Sequence, residues 1–178
     1  DRLVLVLDAA GAVLQSSMHG VGIDQVLAER QGGVLRWSLA DHLGTVRDVT
    51  DAGGNLVNHL RYNAFGLITG QTQAGAAPRF SYTGREFNAA LGLYDLRARW
   101  YDPQGGRFIS EDPTGFAGGD ANLYRYASNN PVTKFDPMGL SASFWDEYAK
   151  PAIDTAKDMV SMKSVGEGIV GGGVAVGP

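Results

Sequence analysis

From the first residue to about position 110 the chain alternates short apolar or aromatic runs with short polar turns that contain glycine. One turn pattern recurs: an Asp or Asn, two residues, a Gly, one residue, then an apolar residue. It reads Asp8…Gly11…Val13, Asp41…Gly44…Val46, Asp51…Gly54…Leu56 and Asn63…Gly66…Ile68, with a variant at Asp102…Gly105…Phe108. The side chain of Asp or Asn starts such a turn by bonding the backbone two residues on, and Gly supplies a positive φ without steric cost. Apolar and aromatic residues before each turn (Leu35 and Trp37, Leu60 and Tyr62, Trp100 and Tyr101) supply the outgoing strand. The first run, Leu3 to Leu7, reads as a buried strand. Residues 1–110 are therefore expected to form a run of β-hairpins. A ribbon of hairpins exposes its edges unless it coils, closes or pairs with a neighbour, and a spiralling sheet is one solution. An ordinary β-sandwich with glycine-rich turns fits the same spacing.

The pattern changes twice. Residues 71–78 are small and polar and read as a surface loop. Residues 111–140 lose strand periodicity. They predict an irregular plug held by Phe116, Tyr124, Tyr126 and Phe135, with a short helix between Tyr124 and Asn130. After Leu140, Ser141-Ala142-Ser143 offers a helix start. Phe144, Trp145, Tyr148, Ile153, Ala156, Met159 and Val160 follow at mixed three- and four-residue steps, interrupted near Pro151. That segment is expected to be a short α-helical tail, and the Gly-rich stretch from Val165 to Pro178 to open a further domain.

Composition adds little to this picture but removes several alternatives. Glycine is the outlier, at 25 of 178 residues, which fits many tight turns. The net charge of −4 gives no broad basic surface for nucleic acid. There is no cysteine, so no disulfide or thiolate chemistry. His19, His42 and His59 lie in the repeats without metal-ligand spacing, so neither a cofactor nor a metal is expected.

A long ordered set of motifs fills residues 79–140. Tyr82-Thr83-Gly84-Arg85-Glu86-Phe87 comes first, then Gly92-Leu93-Tyr94-Asp95-Leu96-Arg97-Ala98-Arg99-Trp100-Tyr101-Asp102-Pro103. Gly106 to Pro113, Asn122-Leu123-Tyr124-Arg125-Tyr126, Asn129-Asn130-Pro131 and Asp136-Pro137-Met138-Gly139-Leu140 follow. In this order they closely resemble the core domain of the Rhs (rearrangement hotspot) or tyrosine-aspartate (YD) repeat family, which also occurs in the C component of insecticidal toxin complexes. The resemblance is strong over residues 79–140 and weaker, as degenerate repeats, over 1–78. It implies a mainly β fold in which a spiralling antiparallel YD-repeat sheet forms part of a hollow cocoon and ends in the plug. The corresponding division is 1–78 β-shell, 79–140 Rhs-associated core, and 141–178 the start of a variable toxin or leader region. It further implies that the chain is cut after the Asp-Pro-x-Gly-Leu motif, met here by Pro131, Asp136, Pro137, Gly139 and Leu140, with Leu140–Ser141 as the scissile bond.

The residues near that bond permit one kind of chemistry. With no Cys or His nearby, what remains is carboxylate: Asp112, Asp120 and Asp136. Two carboxylates held together share a proton, so that one activates water while the other acts as an acid. Asp112 and Asp136 are the expected pair: each opens an Asp-Pro turn whose proline restricts the backbone beside it, and the resemblance places both near the cut. Asp120 is the reserve, and Arg107 is a candidate to orient a carboxylate or polarise the carbonyl. Asp-Pro-x-Gly is also a good type I or II turn, so a purely structural role competes at Asp136. Asp120 also reads as a loop residue, Arg107 as an ion-pair partner, and Trp37, Trp100 and the tyrosines as shell packing.

The expected function is a single-turnover, aspartyl-type self-cleaving module that ends a toxin-enclosing shell. The competing reading is a YD-repeat surface or adhesion protein that never cleaves. The resemblance implies as partners the rest of the shell, an enclosed C-terminal toxin, a secretion spike or toxin-complex component, and an immunity protein. It places the protein first in the cytoplasm and then outside it, delivered to a target cell, or on a cell surface.

Overall fold

The computed structural model describes residues 5–140. They form eleven strands: β1 (Leu5–Leu7), β2 (Val13–His19), β3 (Val26–Gln31), β4 (Val34–Ala40), β5 (Val46–Thr50), β6 (Leu56–Tyr62), β7 (Ile68–Gln71), β8 (Glu86–Asn88), β9 (Leu93–Leu96), β10 (Arg99–Asp102) and β11 (Arg107–Phe108). Strands β1 to β7 make one sheet in chain order, and β8 to β11 make a second. Every strand pair is antiparallel. Neither sheet contains a crossover, so the chain is a ribbon of hairpins and not a Greek-key sandwich. The expected helical tail lies outside the described residues.

The recurring turn has the expected chemistry. Oδ1 of Asp8 accepts from the amides of Ala10 (2.9 Å) and Ala12 (2.8 Å). Asp41 does the same for Leu43 and Thr45, Asp51 for Gly53 and Asn55, and Asn63 for Phe65 and Leu67. The glycine that follows has φ of 83°, 82°, 81° and 86° at positions 11, 44, 54 and 66. Each of these turns is accompanied by a register shift in its hairpin. A turn followed by one left-handed residue leaves such a bulge and adds twist to the ribbon. In the variant turn Asp102 caps Gln104, but the left-handed residue is Gly106 (φ 66°) and not Gly105.

The first sheet packs against residues 82–127 through tyrosines. Tyr94, Tyr101, Tyr126 and Phe108 are fully buried and form one cluster with Tyr82 and Leu96. The fourth turn docks into this cluster. Tyr82 donates its hydroxyl to the carbonyl of Ala64 (3.2 Å), Tyr101 to that of Phe65 (2.8 Å) and Tyr94 to that of Gly66 (3.0 Å). Rings thus supply apolar area while their hydroxyls satisfy turn carbonyls that would otherwise be buried bare. Burial raises the phenol of Tyr82 to about 12, so it stays a donor at any physiological pH.

Four local expectations are corrected. β1 is an edge strand, with Leu5 and Leu7 each 51% exposed, because no strand pairs with its outer side among the described residues. Trp37 and Trp100 remain 39% and 37% exposed, and β10 turns Trp100 to the face opposite Tyr101. The 71–78 segment is exposed along most of its length, as expected of a surface loop, and is pinned to β6. Buried Asn58 accepts from the Gln73 amide and the Thr72 hydroxyl, and Ala76 is fully buried. In the plug only Tyr126 and Phe135 act as anchors, whereas Phe116 and Tyr124 are exposed. The expected short helix is a single turn, Ala127–Asn129, whose three residues all have positive φ (48°, 52° and 56°).

Candidate functional site

The site is built on the β9–β10 hairpin. Strand alternation turns Tyr101 into the aromatic cluster, and the same period turns Arg99 inward while Trp100 faces out. Arg99 is therefore buried, with its guanidinium carbon 3.6 Å from the centre of the Phe108 ring. Burial lowers its basicity, and the nearby carboxylates of Asp112 and Asp136 act in the opposite direction and favour the cation.

Arg99 gathers the plug around itself. Nε donates to the carbonyl of Gly139 (2.5 Å), and Nη1 to that of Leu123 (2.9 Å). Nη2 lies 2.9 Å from Oδ2 of Asp112 and 3.6 Å from Oδ2 of Asp136. The two aspartates are thus linked through a guanidinium. A proton shared directly between carboxylates is replaced by a cation that bridges them. A planar fork suits this task, since its fixed N–H directions reach several acceptors at once.

Both carboxylates are further constrained. Oδ1 of Asp112 accepts from the amide (2.8 Å) and hydroxyl (2.5 Å) of Thr114. Oδ1 of Asp136 accepts from the amide of Leu140 (3.1 Å), and the Gly139 amide lies 3.4 Å from the Asp136 carbonyl. Asp136 therefore closes its own turn and faces Arg99 at the same time, so the turn role and the site role coexist in one residue. Asp136 and Pro137 are among the most deeply buried residues. Gly118 marks where the groups converge. A β-carbon there would lie 2.8 Å from the Thr114 hydroxyl, 3.2 Å from Oδ2 of Asp112 and 3.3 Å from the carbonyl oxygen of Leu140. The carbonyl of the expected scissile bond thus opens on the same small space as Asp112.

The other sequence candidates fall elsewhere. Asp120 caps the amide of Asn122 and pairs with Arg125 (3.4 Å), not with Arg99. Arg107 is exposed on β11, in register with Asp102, and Arg99 occupies the place expected for it. Pro131 is buried, Leu140 is half-buried, and Ser141 lies outside the described residues. Among the described residues no cluster of His, Cys, Asp or Glu is arranged to hold a metal ion. Nothing in the sequence around Arg99 sets it apart from the other arginines of the motif. The period-two pattern puts Arg99 on the same face as Tyr101, and the burial of that face turns it inward.

Comparison with known proteins agrees with this architecture. The model of the Teneurin YD-shell family matches residues 23–132. The chain is 33% identical over 139 residues to Double-stranded DNA deaminase toxin A of Burkholderia cenocepacia, covering 76% of this chain and 9% of that protein. It is 30% identical over 169 residues to Toxin subunit YenC1 of Yersinia entomophaga, covering 92% of this chain and 17% of that one. A crystal structure of TcdB2-TccC3 without its hypervariable C-terminal region superposes with a TM-score of 0.61 at 29% identity, over 76% of this chain and 7% of the other. The chain therefore spans only a small part of these relatives. With its repeated Asx-glycine turns, its tyrosine-lined core and a family match over most of the described residues, the chain belongs to the Rhs/YD-repeat family and carries its YD-shell fold.

Proposed function

We propose that this segment ends a toxin-enclosing Rhs shell and cuts its own chain between Leu140 and Ser141. The observation that carries this reading is the convergence of the Asp112 carboxylate and the Leu140 carbonyl oxygen at Gly118, with Arg99 tying Asp112 to Asp136. In the proposed reaction a water molecule attacks the Leu140 carbonyl carbon and gives a proton to Asp112. The Leu140–Ser141 C–N bond breaks as that proton passes to the Ser141 nitrogen, leaving a carboxylic acid and an amine that ionise to a carboxylate and an ammonium group. Asp136 holds the Leu140 amide, and Arg99 keeps both carboxylates and the Gly139 carbonyl in register. Folding itself supplies the proximity, so a single turnover needs little further acceleration.

Relatives named as a toxin and a toxin subunit support a toxin as the C-terminal cargo. The remaining partners are then the rest of the shell, a delivery component such as a secretion spike or toxin complex, and an immunity protein. In that setting the protein is made in the cytoplasm and delivered to a target cell. The intact mass of the full chain, beside Asp112→Asn, Asp136→Asn and Arg99→Gln variants, tests the reading. A wild-type split after Leu140, lost or slowed at least about a hundredfold in the variants, is expected. A wild type that stays whole in every buffer would favour a non-cleaving surface or adhesion protein instead.

A further inference from the structure

The Asp-Pro-Met-Gly segment is gripped along its length by the β9–β10 turn. Three successive carbonyls are met by three successive residues: Pro137 by Nη1 of Arg97, Met138 by the Ala98 amide (3.2 Å), and Gly139 by Nε of Arg99. Arg99 belongs to the site already described. Arg97 points the other way along the chain, to the first sheet. Its Nη2 lies 2.6 Å from Oδ1 of Asp24 and its Nη1 3.0 Å from Oδ2, a two-pronged pair. Asp24 sits in the turn between β2 and β3, 73 positions before Arg97 in the sequence, and is itself buried.

This pair is built at some cost. Asp24 (φ 51°) and Arg97 (φ 61°) are both left-handed non-glycine residues, a conformation that persists only where the surroundings impose it. Arg97 is held there because Oδ1 of Asp95 accepts its amide (2.7 Å). Arg85 completes the arrangement, donating to Oδ1 of Asp24 (3.0 Å) and to the Asp95 carbonyl (2.7 Å). The Asp24 carbonyl lies so close to Gly84 that a β-carbon there would stand 2.0 Å from it. The repeat sheet is thus seated on the core domain at the point where Arg97 reaches the cleavage motif.

We infer that Asp24 and Arg97 are positioning residues that make cleavage depend on the seating of the β2–β3 hairpin against the core domain. This rests on the self-cleavage reading. Until Asp24 arrives, Arg97 has no anchor and the Pro137 carbonyl no fixed donor. The Leu140 carbonyl then stands away from Asp112. A shell assembled only in part is thereby left uncut.

The test follows the rate of Leu140–Ser141 cleavage in the newly synthesised full chain, by mass. Asp24→Asn is expected to slow it by about a hundredfold, the effect of a displacement near one ångström. Asp24→Glu is expected to recover much of the rate, and the pH profile to keep its shape because the reacting groups are untouched. An Asp24→Asn chain that folds and cleaves at the wild-type rate would overturn the inference. If that variant fails to fold, Arg97→Lys decides. It keeps the charge beside Asp24 but loses the fork, so slow cleavage supports the inference and full speed sinks it. Amide exchange at Ala98 in an Asp112→Asn background separates the two proposals. It is expected to rise roughly tenfold on adding Asp24→Asn. An uncleaved wild type with that rise removes the self-cleavage reading but keeps the clamp, and unchanged exchange removes the clamp.

Discussion

At Gly139 two requirements fall on one residue. Its φ is 68°, and a β-carbon there would stand 2.4 Å from the Leu96 carbonyl and 3.1 Å from the Arg99 amide. The glycine of the Asp-Pro-x-Gly motif is therefore what lets the segment lie flat on the β9–β10 turn. Gly139→Ala is expected to lift the segment and slow cleavage more than it lowers stability, since residues 136–140 are a terminal part of the plug. The release rate, followed by mass, and the urea midpoint separate the two effects; a Gly139→Ala chain cut at the wild-type rate would contradict this. The motif was legible in the sequence as a turn; its role as a cleavage site is what the resemblance implies and belongs to the proposal. That Arg99 rather than Arg107 joins its carboxylates was not legible, because both arginines lie in short strands. Only the burial of Tyr101 and Phe108 decides which one faces inward.

At the scale of elements, the repeating turn is a local device whose price differs with its surroundings. Gly54 and Gly66 have nearly the same φ, 81° and 86°. Nothing lies within 4 Å of a β-carbon at Gly54, whereas at Gly66 it would meet the Tyr82 ring at 2.5 Å. Gly54→Ala is expected to cost about 1–2 kcal/mol, the strain of a left-handed alanine. Gly66→Ala is expected to cost about 1–3 kcal/mol more, because the tyrosine cluster must move. Equal urea midpoints for the two variants would show that the turn does not dock as described. The sequence showed all four turns as equivalents. It contained no sign that the fourth alone inserts between three tyrosine hydroxyls, since that contact joins residues 18 to 36 positions apart.

Across the molecule, the seam between the first sheet and the segment around Arg79 carries a titrating group. Glu29 on β3 is buried. Its Oε2 accepts from the Arg79 amide (3.1 Å) and its Oε1 from Gln15 (3.1 Å). Burial raises its pKa from 4.5 to about 7, against the pull of those hydrogen bonds and of the Arg79 charge. The folded state thus holds a proton that the unfolded state has already released. The stability from this group is fully present below about pH 4.5 and is lost as pH rises toward 7. The difference in stability between wild type and Glu29→Gln is expected to shift over that window by on the order of 2 kcal/mol, with the wild type losing ground as pH rises. Urea unfolding from pH 4.5 to 8 measures it, and a constant difference would mean that Glu29 stays ionised in the fold.

The hairpin ribbon, its turns and the boundary where strands give way to the plug are legible in the sequence. These follow from local chemistry: an Asx side chain reaching two amides along, a glycine free to be left-handed, and a period-two alternation. Tertiary structure alone decided which glycine bears a close contact, which arginine is buried, and that Asp24 reaches Arg97 and, through it, the Pro137 carbonyl. Those outcomes depend on groups far apart in the chain meeting at fixed distances, and no pattern of neighbouring residues encodes such a distance.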